Sequence, residues 1–377
     1  MNYVLGNGQV ITNGRSQTVL ASPGLQWEER ITKDAGLDLA LFDNHLTFTA
    51  DYYISETRKA LAPVVVPIYT GNFGAVFQNA GNIENRGLEL ALGYQNSTAS
   101  GFTYSLNANL TTLRNRVLAL PNEGQALVDG QGLTRTAVGT SLGQFFLIPM
   151  AGIFQSKDEV NNYKTADGRV IQPYASAGDV KYADTNGDGV IDTRDRVLVG
   201  SAFPTLQYGF NINLGYKGFD LSIFGQGVSG NRIFNNAKVA LESYNGPTNY
   251  EANVLPWTPD NPSNSVPRAL QGGSADPNLA QAASQNALYQ TTRWLEDGSY
   301  LRLKNVQLGY TFGKNLLGWA PVINTLRVYV TGRNIVTFTK YTGYDPEITG
   351  TGYFGRGVDN SAYPNVRTFT GGIQATF

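Results

Sequence analysis

Strict two-residue alternation of apolar and polar side chains constrains this chain more than any other feature. In Phe102–Leu110, Phe102, Tyr104, Leu106, Ala108 and Leu110 take one face, and Thr103, Ser105, Asn107 and Asn109 the other. Leu206–Lys217 repeats the pattern, with Tyr208, Phe210, Ile212, Leu214 and Tyr216 against Gln207, Asn211, Asn213 and Lys217. Leu46–Tyr52 and Leu88–Tyr94 do the same. Successive side chains of a strand point to opposite faces, so each segment reads as a strand with one apolar face. The phase slips near Lys304-Asn305, which predicts a β-bulge. About nine strands follow, near 31–42, 46–57, 86–95, 102–114, 205–217, 219–229, 300–312, 324–338 and 367–377. Each approaches or exceeds the ~9–11 residues that a tilted membrane strand needs.

The connections choose the architecture. Only Asp43, Asn44 and His45 separate Phe42 from Leu46, only Lys217-Gly218 separates Tyr216 from Phe219, and seven residues separate Tyr94 from Phe102. Between these short turns lie long connections near 58–85, 115–204, 230–299 and 339–366, read as loops without regular structure. A soluble sandwich or propeller needs no such alternation. An outer-membrane barrel has short turns on one side and long loops on the other. Phe42, Tyr94, Phe102, Tyr216, Phe219, Tyr310 and Phe312 flank the short turns, where an aromatic girdle would meet the periplasmic interface. The expected fold is an all-β, antiparallel transmembrane β-barrel. Residues 1–30 are expected to be the remnant of an extracellular loop, and 31–377 the barrel segment.

Composition removes other classes. Net charge is -1, so no basic field exists to displace counterions from nucleic acid. There is no Cys and one His, His45, which excludes thiolate metal sites and leaves no His-based catalytic cluster. No stretch approaches the ~18 apolar residues of a spanning helix. Neither a Gly-x-Ser-x-Gly elbow nor a phosphate-binding glycine loop is present, and the chain reads as non-enzymatic. The paired acids Glu28-Glu29 and Glu296-Asp297 read as solvated. Arg86, Arg302, Arg327 and Arg333 lie in strands and would most cheaply face the lumen or the rim, because a lipid-facing Arg costs ~2–4 kcal/mol at mid-bilayer.

The final segment, Arg367–Phe377, puts Phe369, Gly371, Ile373, Ala375 and Phe377 on one face and stops at an aromatic. It resembles the C-terminal signal by which bacterial outer-membrane proteins engage the barrel assembly machinery. An odd strand count cannot close in the ordinary even-numbered way, so further strands are expected before Met1.

Several stretches in order resemble the SusC/RagA family of TonB-linked outer-membrane proteins. They are Gly24-Leu-Gln-Trp-Glu-Glu29, Gly36-Leu-Asp-Leu-Ala-Leu-Phe-Asp-Asn44, Asp51-Tyr-Tyr53 and Asn79-Ala-Gly-Asn-Ile-Glu-Asn-Arg-Gly-Leu-Glu-Leu90. Gly152-Ile-Phe-Gln-Ser156, Asp184-Thr-Asn-Gly-Asp-Gly-Val-Ile-Asp192 and Tyr216-Lys-Gly-Phe-Asp-Leu221 follow. Glu296–Val306, Gly332-Arg-Asn334 and Gly343-Tyr-Asp-Pro-Glu347 complete the series. The resemblance implies the C-terminal portion of a larger plugged barrel of ~22 strands. It implies energised uptake of oligosaccharides, or of peptides in the RagA branch, with a SusD-like surface lipoprotein over the mouth. Contact with TonB would come from an N-terminal segment lying before this chain. Two other readings are a calcium-binding surface module and a passive porin.

One motif carries its own chemistry. Asp184, Asn186, Asp188, Gly189, Ile191, Asp192 and Asp195 fit an EF-hand loop at positions 1, 3, 5, 6, 8, 9 and 12. Asp184, Asn186 and Asp188 would offer side-chain oxygens to Ca²⁺, Val190 its carbonyl, Asp192 a water-mediated contact, and Asp195 would close the site. Carboxylates so close repel unless something neutralises them. Trp257, Trp294, Tyr163, Tyr174, Tyr244 and Tyr250 fall in the long connections. Such rings can stack on sugars but more often pack loops together.

Overall fold

In the computed structural model, residues 2–5, 10–13, 22–64, 76–79, 81–121, 126–128, 131–243, 251–270, 274–314, 322–348 and 355–377 are described. Ten strands form one antiparallel sheet: β1 (Glu29–Leu41), β2 (Leu46–Arg58), β3 (Asn82–Ser97), β4 (Thr103–Thr112), β5 (Arg114–Ala119), β6 (Leu206–Tyr216), β7 (Phe219–Ser229), β8 (Tyr300–Phe312), β9 (Thr325–Thr339) and β10 (Thr368–Thr376). Its order is β10-β9-β8-β7-β6-β4-β3-β2-β1, so nearly every strand pairs with its sequence neighbour, while β5 pairs with β3. The expected strand at 102–114 is thus longer, running on as β5 in the same register, since Glu89 faces Thr111 and Arg86 faces Arg114. The first strand begins at Glu29 rather than after residue 30, because Glu29 and Arg30 already pair with Arg58 and Thr57.

The short turns are built as the residues dictate. Lys217 and Gly218 both have positive φ (47° and 88°), the two-residue turn whose twist matches antiparallel strands. Phe42, Asp43 and Asn44 also have positive φ, and the His45 ring meets the Gln95 carbonyl at 2.7 Å, tying this turn to β3. The phase slip near Lys304 is a bulge: Leu303 faces Gly225 and Asn305 faces Phe224, leaving Lys304 unpaired between them. At the end with the short turns the aromatics form a rim, with ring centroids 4.6 Å apart for Phe219–Tyr310, 4.7 Å for Tyr310–Phe312 and 6.3 Å for Phe102–Tyr216.

The sheet has no core on its outer face. Ile373 is 74% and Val330 58% exposed, and Phe369 and Phe377 are exposed with them on the face of the last strand. Apolar side chains so placed belong in lipid. Arg327 points the other way and pairs with Asp220 across the inner face, as the sequence led us to expect.

The long connections are not the irregular loops expected from their composition. They carry a four-stranded sheet with strands Leu127–Val128, Thr134–Thr136, Gln144–Leu147 and Val197–Gly200, two further small sheets within 150–359, and short helices at Lys157–Asn162, Asn236–Glu242 and Pro277–Asn286. Together they make a folded cap that holds most of the buried apolar side chains. Leu133, Phe145, Leu147, Phe234, Trp294 and Val358 form its largest cluster. A second joins Ile148, Ile171, Val180, Tyr182 and Ile191.

Candidate functional site at the barrel mouth

The cap meets the sheet at its loop-bearing end, and an anchor holds the junction. Arg302 follows Leu301 on β8 and so points inward, where burial leaves it 3% exposed. Its guanidinium donates to Asp345 at 2.5 Å, to Glu347 at 2.7 Å and to the Thr337 hydroxyl at 2.7 Å. The bulged Lys304 adds a bond to Glu347 at 2.6 Å. Burial opposes the charged form of Asp345, yet the Arg302 bond and backbone N–H donors from Glu347 and Asn365 win and hold its carboxyl below the usual range. The bulge therefore has a purpose: it brings two cations to one pair of acids.

Elsewhere on the inward face, at β2, β3 and β5, lies a pocket of about 230 Å³. Thr57, Asn85, Asn115 and Thr136 supply polar groups, Val117 and Phe203 apolar surface. Glu28 and Arg356 put opposite charges on its wall. Arg356 lies 4.9 Å over the Phe203 ring, and Glu28 accepts from the Leu61 N–H. Ala60, Leu61, Ile83, Leu127 and Leu142 make the rest of the lining apolar, and the Asn115 amide donates to Asn85 at 2.8 Å, so the pocket is a largely apolar cleft with a few polar groups on its wall. Of these residues the sequence singled out only Glu28, as a solvated acid, because Thr57, Asn85, Asn115 and Val117 share inward parity at the upper ends of three strands and not any motif.

The acidic loop satisfies its own hydrogen bonds. Asp184 accepts from the N–H groups of Gly187 and Gly189, Asn186 from that of Asp188, and Asp188 from that of Val190. Asp195 is buried and accepts from Thr185 and Asp192. Ile191 anchors the loop in the second cap cluster. Arg194, which the motif treats as a spacer, pairs with Asp188 at 2.8 Å and Asp192 at 2.7 Å. Hydrogen bonds from that guanidinium lower the Asp192 pKa. The mutual repulsion that pointed to a cation is thus relieved from within. Among the described residues no three Asp, Glu or His side chains converge as a metal would require.

The candidate aromatics are packing groups. Trp294 is fully buried and donates to the Leu288 carbonyl at 2.9 Å. Trp257 lies on Gly178, where an added Cβ would come within 2.4 Å of its ring, and donates to Gln155 at 2.9 Å. Tyr163 donates to the Tyr182 carbonyl at 2.7 Å, and burial pushes Tyr174 up to about 12. Tyr244 and Tyr250 lie outside the described residues.

A wall of neighbour-paired strands, apolar outside and polar inside, with turns at one rim and a folded cap at the other, is part of an outer-membrane β-barrel. The family description "TonB dependent receptor-like, beta-barrel" matches residues 2–335, and the chain belongs to that family, in its SusC/RagA branch. It is 34% identical to TonB-dependent receptor P3 of Formosa agariphila, over 99% of this chain and 36% of that one. It is 27% identical to TonB-dependent receptor SusC of Bacteroides thetaiotaomicron, over 94% of this chain and 32% of that one. Its fold matches the structure of the RagAB peptide transporter with a TM-score of 0.78 at 24% identity, over 100% of this chain and 38% of that one. The chain therefore spans about a third of the length of these relatives. Proteins of this family are outer-membrane transporters and not enzymes.

Proposed function

We propose that this chain is the wall and cap portion of a TonB-dependent importer of oligosaccharides or peptides, working with a SusD-like surface lipoprotein. One observation carries the reading: a folded cap is fastened by the Arg302–Asp345–Glu347 anchor to the loop-bearing end of the strand wall, with an inward pocket of mixed lining at that end. A passive porin has no need of so heavily built a mouth. The name of the RagAB peptide transporter supports the peptide class, and the oligosaccharide class rests on the resemblance to SusC/RagA proteins. TonB would act on a segment outside this chain, and the last strand, with Phe369, Ile373 and Phe377, would be what the assembly machinery reads. The test is uptake in the source organism, with the parent gene deleted and then restored with or without Asn85→Ala/Asn115→Ala. Loss of growth on one oligosaccharide or peptide pool, with retention on free monomers, is expected. Unimpaired growth on every pool after deletion would end the proposal.

For the 184–195 loop we propose that calcium enters only in competition with Arg194. The residues suit the ion by type, with oxygen donors at Asp184, Asn186, Asp188, Val190, Asp192 and Asp195. They do not suit it as arranged, because a guanidinium holds two of the acids. Proteolysis of this loop should ignore chelator in the wild type and become calcium-dependent in Arg194→Ala. A chelator-sensitive wild-type loop would instead mean resident calcium.

A further inference from the structure

The outer face of the sheet carries a charge pattern that import does not explain. On β3, Leu88, Leu90, Leu92 and Tyr94 point to lipid, and Arg86 continues the same parity toward the cap end. Register extends that position sideways. Lys33 of β1 faces Ile54 of β2, Ile54 faces Arg86, and Arg86 faces Arg114 of β5. One row of the sheet thus reads Lys33–Ile54–Arg86–Arg114, three cations and no acid. The next row outward reads Ile31–Glu56–Glu84–Arg116, and Glu56 is already paired with Arg58.

Two facts mark the arginines as waiting for a partner. Like charges directly opposite on antiparallel strands destabilise the pair, and Arg86 stands directly opposite Arg114. Among the described residues, the side chains of Arg86, Arg114 and Arg116 make no ion pair or hydrogen bond, and Glu84, in register with Arg116, comes within bonding distance of none of them. The three line a groove of about 260 Å³ together with Glu84 and the hydroxyl-bearing Ser141, Ser201 and Thr205. Guanidinium groups and hydroxyls are the groups that bind phosphate oxygens, often through two parallel bonds from one Arg.

Height decides the source of the phosphate. Arg86 lies eight residues above the rim residue Tyr94, which at ~3.3 Å per residue and a tilt near 40° is about 20 Å. The apolar band of such barrels is ~25 Å tall, so the row stands within about 5 Å of the band's outer edge, where a charged side chain costs little and can reach the headgroups. We propose that Lys33, Arg86, Arg114 and Arg116 form a binding site for the phosphate-bearing headgroup of an outer-leaflet glycolipid. The inference rests on placement in the outer membrane and not on what the barrel imports, so failure of the import proposal leaves it standing.

The test is native mass spectrometry of the detergent-solubilised full-length receptor titrated with a diphosphorylated glycolipid. In Arg86→Gln/Arg114→Gln the affinity should fall about thirty-fold at low salt, about fivefold per charge removed. Arg86→Lys/Arg114→Lys should retain most of it. The same glycolipid stripped of phosphate should bind no better to the wild type than the intact lipid binds to the double variant. Equal affinity of wild type and double variant would overturn the proposal. Displacement of the glycolipid by equimolar inorganic phosphate would overturn the lipid assignment in favour of a soluble anion. Should the double variant fail to insert, as judged by heat-modifiable mobility, Arg116→Gln is the second variant, with about a fivefold loss expected and none overturning the site.

Discussion

The sheet and the cap are made from similar residues, yet they solve opposite solvent problems. In the sheet, Val330 and Ile373 are more than half exposed. In the cap, Phe145, Leu147, Phe234 and Trp294 are fully buried. The sheet's apolar face is stabilised by lipid and its backbone by neighbouring strands, so it needs no second layer. The cap stands in water and must cover its apolar groups with its own chain. A single alternating pattern therefore means lipid contact in one region, and its absence means a water-facing core in the other.

The largest effect that would break this contrast is expected at Trp294. Trp294→Ala should cost the cap ~3–5 kcal/mol through lost contacts and a cavity. Proteolysis within 131–298 should rise sharply while heat-modifiable mobility stays unchanged. Loss of the mobility shift would show that cap and sheet fold as one unit.

Next comes the anchor joining the two regions. Arg302→Met leaves buried Asp345 without its cation, at a cost of roughly 3 kcal/mol. Protection of the 340–348 segment from protease should fall while the sheet is untouched. The anchor also has a pH signature. The folded pKa of Asp345 is lowered, so its contribution is present above the ordinary Asp value of about 3.9 and is lost as pH falls through the lowered one. Protection should be the same at pH 7 and pH 5 and decline only below about pH 4.

Leu308→Arg probes the sheet directly. Leu308 lies on the lipid face of β8, and an Arg there should cost ~2–4 kcal/mol in bilayers, read by urea unfolding in vesicles. Cap proteolysis should not change. The smallest effect sharpens the contrast from the cap side. Glu242 is buried, with Lys238 and Arg293 no nearer than 3.9 and 3.8 Å, and burial pushes its carboxyl up. A raised folded pKa means its contribution is lost as pH rises through that value, so Glu242→Gln should stabilise the cap at neutral pH by at most ~1 kcal/mol. A destabilised variant would show that the distant cations matter more than burial.

Much of the sheet was legible because strand parity is a local property. Phe219–Ser229 and Tyr300–Phe312 were located from alternation and turns alone, and the bulge at Lys304 from one lost beat. The helices were missed although their start signals were present: Ser156 caps Glu159, and Asp276 precedes Pro277. Short helices between strands leave too few turns for a 3.6-residue period to show. In the acidic loop the spacing of Asp184, Asp188 and Asp195 was legible, but the guanidinium of Arg194 that neutralises it was read as filler.

By itself, then, the sequence determined the strands, their two faces, the side on which the turns lie, and the family. Those follow from interactions between residues close in the chain, and from the period of the backbone. Tertiary structure alone decided that the long connections fold over buried Trp294, that Arg302 meets an acid 43 residues away, and that Lys33, Arg86 and Arg114 share one row. Each depends on which distant segments are brought side by side, and that is set by the register of the whole sheet, which no local pattern records.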